Sequence, residues 1–168
     1  MIQVTIHDSG VHAALGRLLR LVQNPRPALK AIGELVMEST KETFRASKDP
    51  YGTPWAPNAA STLNAMLKSH SKNFTRKGAV SARGLRALGS KKPLIGESKS
   101  LSTQFAYRLV GDGVEVRSTM VYAAMQQFGG KKSRFPHLWG DIPARPFFPD
   151  EQRGLPPTWE HRILGVLS

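Results

Sequence analysis

The chain has 168 residues, 40% of them hydrophobic, and its 24 Lys and Arg against 12 Asp and Glu give a formal net charge of +12 at pH 7. That length suits one domain, the apolar fraction suffices for a core, and 15 Gly with 12 Pro predict much irregular backbone. With 0 Cys the chain can form no disulfide, thiolate metal site or cysteine nucleophile, which excludes a secreted disulfide scaffold.

Residues 1–8 alternate, with Ile2, Val4 and Ile6 on one face, and read as a first strand rather than a signal peptide. Asp8 or Ser9 then caps a helix whose apolar positions, Val11, Ala14, Leu15, Leu18, Leu19 and Val22, follow the 3.6-residue period up to Asn24-Pro25. A second helix starts near Pro25 or Pro27, where a missing N–H costs nothing, and carries Leu29, Ile32, Leu35, Val36 and Phe44 along one face. The pair is expected to form a helical hairpin laid on a sheet. No run approaches the roughly 20 apolar residues of a membrane-spanning helix, so a soluble protein with no membrane partner is expected.

Three prolines and a glycine over residues 47–58 impose an ordered loop, with Tyr51 and Trp55 as its buried anchors. Residues 64–100 hold nine Lys and Arg against Glu97 alone, and so carry two thirds of the net charge. A short helix over 61–69 is predicted there, and the rest reads as a mobile basic insertion, low in large aliphatic side chains. Lys68, Lys72, Arg76, Lys77, Arg83, Arg86, Lys91 and Lys92 are candidates for contact with DNA or an acidic partner, because a cation placed on a phosphate releases counterions. A solvated arm explains the same residues equally well. Phe74 is the only aromatic residue between Trp55 and Phe105, so stacking on bases is not expected.

Residues 102–110 and 114–119 alternate on either side of Gly111-Asp112-Gly113 and predict a β-hairpin. Residues 121–128 fit a short helix closed by Gly129-Gly130 in the left-handed conformation. Residues 142–149 form an extended segment that proline confines to a sheet edge or a partner's surface. A last helix over 158–167 places Trp159, Ile163, Leu164 and Leu167 on one side. The elements add up to an α+β fold in a single domain, 1–168, with the basic insertion at about 64–100. Its parts are an antiparallel sheet with the N-terminal helical hairpin packed on it, a short helix after the β-hairpin, and a C-terminal helix.

Motifs for chemistry are missing. None of His7, His12, His70, His137 and His161 has the spacing of a zincin helix, and Gly130-Lys131-Lys132-Ser133 fails as a phosphate-binding loop because Ser or Thr does not follow the lysine at the right place. No G-x-S-x-G elbow occurs. Asp141, Asp150 and Glu151 are the carboxylates from which a metal-dependent nuclease would have to be built. No catalytic residue, cofactor site or metal site is therefore expected, and no enzyme.

Four pieces in fixed order carry a resemblance: Asp49-Pro50-Tyr51-Gly52-Thr53-Pro54-Trp55, then Leu101 with the hairpin, then Tyr122-Ala123-Ala124-Met125-Gln126-Gln127-Phe128-Gly129, then Ile142-Pro143-Ala144-Arg145-Pro146-Phe147. Together they resemble the phage virion morphogenesis family, the tail-completion and head–tail joining proteins of Mu-like and P2-like phages. Arg26-Pro27 at the second helix is similar to the family as well. In one respect the sequence departs, since the position before Gln-Phe-Gly, often histidine in the family, is Gln126 here.

The resemblance implies a structural protein of the virion neck or tail end, made in the host cytoplasm. Its subunits would form a ring, expected as a hexamer, around the DNA channel and against tail tube, stopper or portal and adaptor proteins. The expected subunit interface is Tyr122, Gln126, Gln127, Phe128, Arg145, Phe147 and Phe148. Phe147 and Phe148 stand between Pro146 and Pro149, which stiffen the backbone of an aromatic anchor, and Arg145 suits a bidentate pair with a neighbour's carboxylate. Tyr122 and Phe128 lie six apart on their helix, so one is expected inside and the other outside. The rival readings are a monomeric DNA-binding accessory protein, a portal-proximal head-assembly factor, and a nuclease using Asp141.

Overall fold

A computed structural model describes residues 21–96, 98–138 and 140–167, together with Gly16 and Leu19. The predicted first strand lies outside the described residues. So does most of the predicted first helix, of which Gly16, Leu19 and 21–23 are described and helical. The described fold is α+β: α1 (Arg26–Ala46), α2 (Ala60–Lys68), a 3-10 turn (Ser71–Asn73), α3 (Ala82–Ser90), α4 (Ser100–Thr103), β1 (Phe105–Val110), β2 (Gly113–Ser118), α5 (Ala123–Phe128) and α6 (Pro157–Leu167).

α1 opens at Arg26-Pro27, where proline in the first turn forfeits no helical hydrogen bond, and it packs on both strands and on α6. Its fully buried positions are Gly33, Ser39, Thr40, Thr43 and Phe44, whereas the expected Leu29, Ile32, Leu35 and Val36 are half-buried. The hydroxyls tolerate burial because each finds a partner: Thr40 Oγ1 donates to the Val36 carbonyl at 2.8 Å, and Thr43 Oγ1 to the Thr40 carbonyl at 2.7 Å. Small side chains also let neighbours come close. Arg162 Nη1 of α6 reaches Ser39 Oγ and Glu42 Oε2, each at 2.9 Å. On the sheet side, a Cβ at Gly33 would sit 2.7 Å from the Tyr107 ring.

The strands pair antiparallel from Phe105↔Ser118 to Val110↔Gly113, so the loop is Gly111-Asp112 and Gly113 belongs to β2. Residues 100–103, the first of them just before and the rest within or beside the predicted strand, turn instead into α4, whose Leu101 is buried. The core gathers where the end of α1, the 47–58 loop, α4, the start of the hairpin and residues 144–148 meet. It comprises Phe44, Trp55, Leu101, Ala123 and Phe147, with Phe105, Met120 and Phe148 packed against it.

The insertion is folded, contrary to the expected mobile arm. Leu67 and Asn73 are buried, and Asn73 Nδ2 donates to the Leu67 carbonyl at 3.1 Å while the Asn73 carbonyl accepts from Ser81 N–H at 2.8 Å. α3 begins on Ser81, whose Oγ accepts from Gly84 N–H. Asn58 Nδ2, on the Lys91 carbonyl at 3.1 Å, and Lys92 Nζ, on the Arg45 carbonyl, fasten the insertion to the body. One buried leucine, Leu67, one buried amide, Asn73, and the close approach of Gly84 to the Asn73 carbonyl thus order a segment that is poor in large aliphatic side chains.

α5 ends at Gly129, which takes φ 71° and ψ 179°, a positive-φ conformation distinct from the left-handed helical one expected there. Only glycine occupies this region freely, and a Cβ would also lie 2.7 Å from the Ala144 backbone nitrogen. Gly129→Ala is expected to destabilise the fold by about 2 kcal/mol or more, seen as a lowered thermal midpoint. An unchanged midpoint would show that the 129–144 contact does not hold in solution.

Candidate assembly surface

The four resemblance-bearing segments meet around one residue, Phe147, which is 1% exposed. Its ring lies 5.2 Å from Phe44 and 6.1 Å from Phe105, and Trp55 stands edge-on to Phe44 at 5.2 Å. Trp55 Nε1 donates to the Pro146 carbonyl at 2.7 Å, which ties the 49–55 loop to the 142–147 segment. The loop itself is shaped by Asp49, whose Oδ1 accepts from Tyr51 N–H at 2.9 Å and Thr53 N–H at 2.7 Å. Tyr51 then clasps the far side: its hydroxyl donates to the Gly154 carbonyl and accepts from Asp150 N–H at 2.9 Å, with the Arg153 guanidinium 3.5 Å over its ring. Both expected loop anchors are engaged with the body.

α5 is locked onto the same knot. Gln127, buried, accepts from the N–H groups of Phe147 and Phe148 at 2.9 and 3.0 Å on one oxygen and donates to the Phe148 carbonyl at 3.0 Å. Residues 130 and 142 pair through two backbone bonds of 2.8 and 2.9 Å, and Arg145 N–H donates to the Gln126 carbonyl. Arg145 is 8% exposed and sends Nε and Nη2 to the Ala56 and Pro57 carbonyls at 2.8 and 2.7 Å. Burial lowers its pKa from the ordinary arginine value, and the guanidinium stays charged.

Three expected interface residues are thereby corrected. Phe147, Gln127 and Arg145 are committed inside their own subunit, because an aromatic ring between prolines, an amide and a planar guanidinium serve a core as well as they serve a neighbour. Phe148 is half-buried, packed edge-on to Phe105 at 5.8 Å. Tyr122 and Phe128 are both exposed, at 45% and 78%, so neither is the inside residue. The inward positions are Ala123 and Gln127.

The turn before α5 and the end of α5 present apolar side chains outward. Val121 at 98% and Phe128 at 78% exposure flank a groove of about 350 Å³ lined with Val116, Met120, Ala124 and Pro149. On its other side, Tyr122 and Gln126 border a larger groove of about 620 Å³, whose opposite wall is Leu94, Ile95 and Lys91 of the insertion. Val121 escaped the sequence reading because a single valine at a helix start has no period to reveal its direction. A second apolar patch, Leu164 and Leu167 of α6, is also exposed, although both leucines were expected on the packed side with Trp159; Leu155, before the helix, is exposed as well.

Among the described residues, no group of His, Asp and Glu is placed to hold a metal ion, and no helix is long and apolar enough to cross a membrane. The motifs of this small α+β chain thus form an internal clasp, and an aromatic and an aliphatic side chain, Phe128 and Val121, stand exposed at the end of α5 and just before it. The chain belongs to the phage virion morphogenesis family, whose model matches residues 6–168. Membership assigns it a part in building the virion and points to a structural rather than a catalytic role. No curated protein and no solved structure matches the chain.

Proposed function

We propose that this protein completes the phage tail or joins it to the head as a ring of identical subunits around the DNA channel, with α5 at the subunit contact. The observation that carries the reading is the exposed pair Val121, in the turn just before α5, and Phe128, at the end of α5, a helix that Gln127 holds to the core. A pre-ordered apolar face loses little entropy on docking, which is what a repeated weak contact in a ring requires. The α5 face and the α6 patch belong to different elements and are not alike. A contact between unlike patches is heterologous, and a heterologous contact whose rotation closes gives a ring, whereas one that does not close gives a filament. In this reading the interface is Val121, Tyr122, Gln126 and Phe128, and the ring abuts tail tube, stopper or portal and adaptor proteins in the virion neck.

Light scattering and native mass spectrometry of the purified full chain test it. A discrete species of about six times the 18.5 kDa chain mass is the expected result. Persistence at 18.5 kDa at high concentration, and in the presence of purified tail tubes, would overturn it.

A further inference from the structure

The folded insertion holds cations that the rest of the molecule does not use. Lys91 Nζ donates to the Ile95 carbonyl and Lys92 Nζ to the Arg45 carbonyl, so both serve the fold. Lys68, Lys72, Arg76, Lys77, Arg83 and Arg86 are all exposed, and among the described residues no carboxylate lies within ion-pair distance of any of them. The ion pairs of the described structure are formed elsewhere, on α1, β1, β2, the 49–55 loop and α6. Six like charges carried by residues 68–86 repel one another unless a partner supplies negative charge.

Their placement is built as well as charged. Phe74 and Val80 form an antiparallel bridge, and Thr75 N–H donates to the Ala79 carbonyl at 2.8 Å. Gly78 N–H returns to the Thr75 carbonyl at 2.9 Å with φ +79° at the glycine, so a tight turn puts Arg76 and Lys77 at its two central positions. This tip is braced from behind, where Asn73 is buried and Ser81 Oγ donates to the Lys72 carbonyl at 2.9 Å. Beside it, a cleft of about 330 Å³ between α2 and α3 has Ser69, His70, Asn73, Arg83 and Ser90 as polar lining. The Ser69, Ser90 and Asn73 donors of that cleft are spent on the Met66, Ala87 and Leu67 carbonyls, so the exposed cations, carried on a braced turn and on two helices, are what matches an array of phosphates. Stacking aromatics for single-stranded bases are lacking, since Phe74 is half-buried.

We infer that residues 68–86, with Arg76 and Lys77 at the hairpin tip, form a surface that grips the phosphate backbone of duplex DNA without reading its sequence. The inference does not depend on the ring, because it concerns a surface apart from the α5 face.

The test is fluorescence anisotropy of a labelled 30-base-pair duplex of arbitrary sequence, titrated with the full chain over 50–200 mM NaCl. Affinity should fall steeply with salt, independently of sequence. Arg76→Gln with Lys77→Gln should flatten the log–log salt slope by about 1.8, at roughly 0.9 per phosphate contact, and Arg83→Gln with Arg86→Gln should flatten it similarly. Lys30→Gln, an exposed cation on α1, should leave it unchanged. If the tip variant loses its fold by circular dichroism, the α3 variant keeps the test open. Equal slopes for wild type and both double variants would overturn the inference, and so would tighter binding to polyglutamate than to the duplex, which would mark the surface as an acidic-protein site. The mass measurement above is read separately, so a monomer that still binds DNA refutes only the ring.

Discussion

Phe128→Glu, combined with Val121→Glu, is expected to abolish the higher-mass species while leaving the subunit folded. Both side chains are so exposed that their replacement removes almost no buried area within the subunit, and surface changes of this kind usually move stability by less than about 0.5 kcal/mol. At a packed contact between subunits the same glutamates would be desolvated without a partner, a cost of several kcal/mol at each of several identical interfaces. Light scattering at the wild type's assembling concentration, with a thermal melt alongside, separates the two effects. An assembly that survives the double change would remove α5 from the interface. A subunit that melts with it would show that Phe128 packs inside after all.

The second large effect runs the other way. Phe147→Ala is expected to destabilise the subunit itself by about 3–5 kcal/mol, the usual consequence of emptying a buried aromatic site. The ring touches Phe44, Phe105 and Phe148 at centroid distances of 5.1 to 6.1 Å, so the vacated space lies at the middle of the core and cannot collapse easily. For a chain of this size that predicts a thermal midpoint lower by about 6–20 °C. Gln127→Ala should approach the same loss without removing any aromatic ring, because it orphans two N–H groups and one carbonyl of the 147–148 backbone. Gln127→Glu should cost less, since an acceptor for the two N–H groups survives. If Phe147→Ala melted like wild type but failed to assemble, its ring would belong to an interface and the clasp would be misread.

Much of the local structure was legible in the chain. Proline at Arg26-Pro27 marked the start of α1, alternation about Gly111-Asp112 marked the hairpin, and Gln-Phe-Gly marked the end of α5. These features act over a few residues, so neighbouring side chains settle them without the rest of the molecule. The order of the insertion has the opposite origin. Its order depends on Asn73 meeting Leu67 and Ser81, on Asn58 meeting Lys91 and on Lys92 meeting Arg45, and the last of these contacts spans 47 residues.

The direction in which a side chain points was legible for Phe44, Trp55 and Trp159, which are buried as expected, but not for the residues of the expected interface. Phe147 and Phe128 are the same residue type, both beside glycine or proline, yet one is 1% and the other 78% exposed. Arg145 and Arg76 differ likewise, one buried against backbone carbonyls and the other free at a turn. By itself the sequence determined the family, the α+β class, the positions of the local elements and the excess of positive charge, because composition, short-range periodicity and ordered motifs carry that information. Only the tertiary structure decided that the motifs clasp one another around Phe147, and that Val121, Phe128 and the hairpin cations are left facing outward. Burial depends on which distant segments arrive at a side chain, and long-range packing is what chooses them.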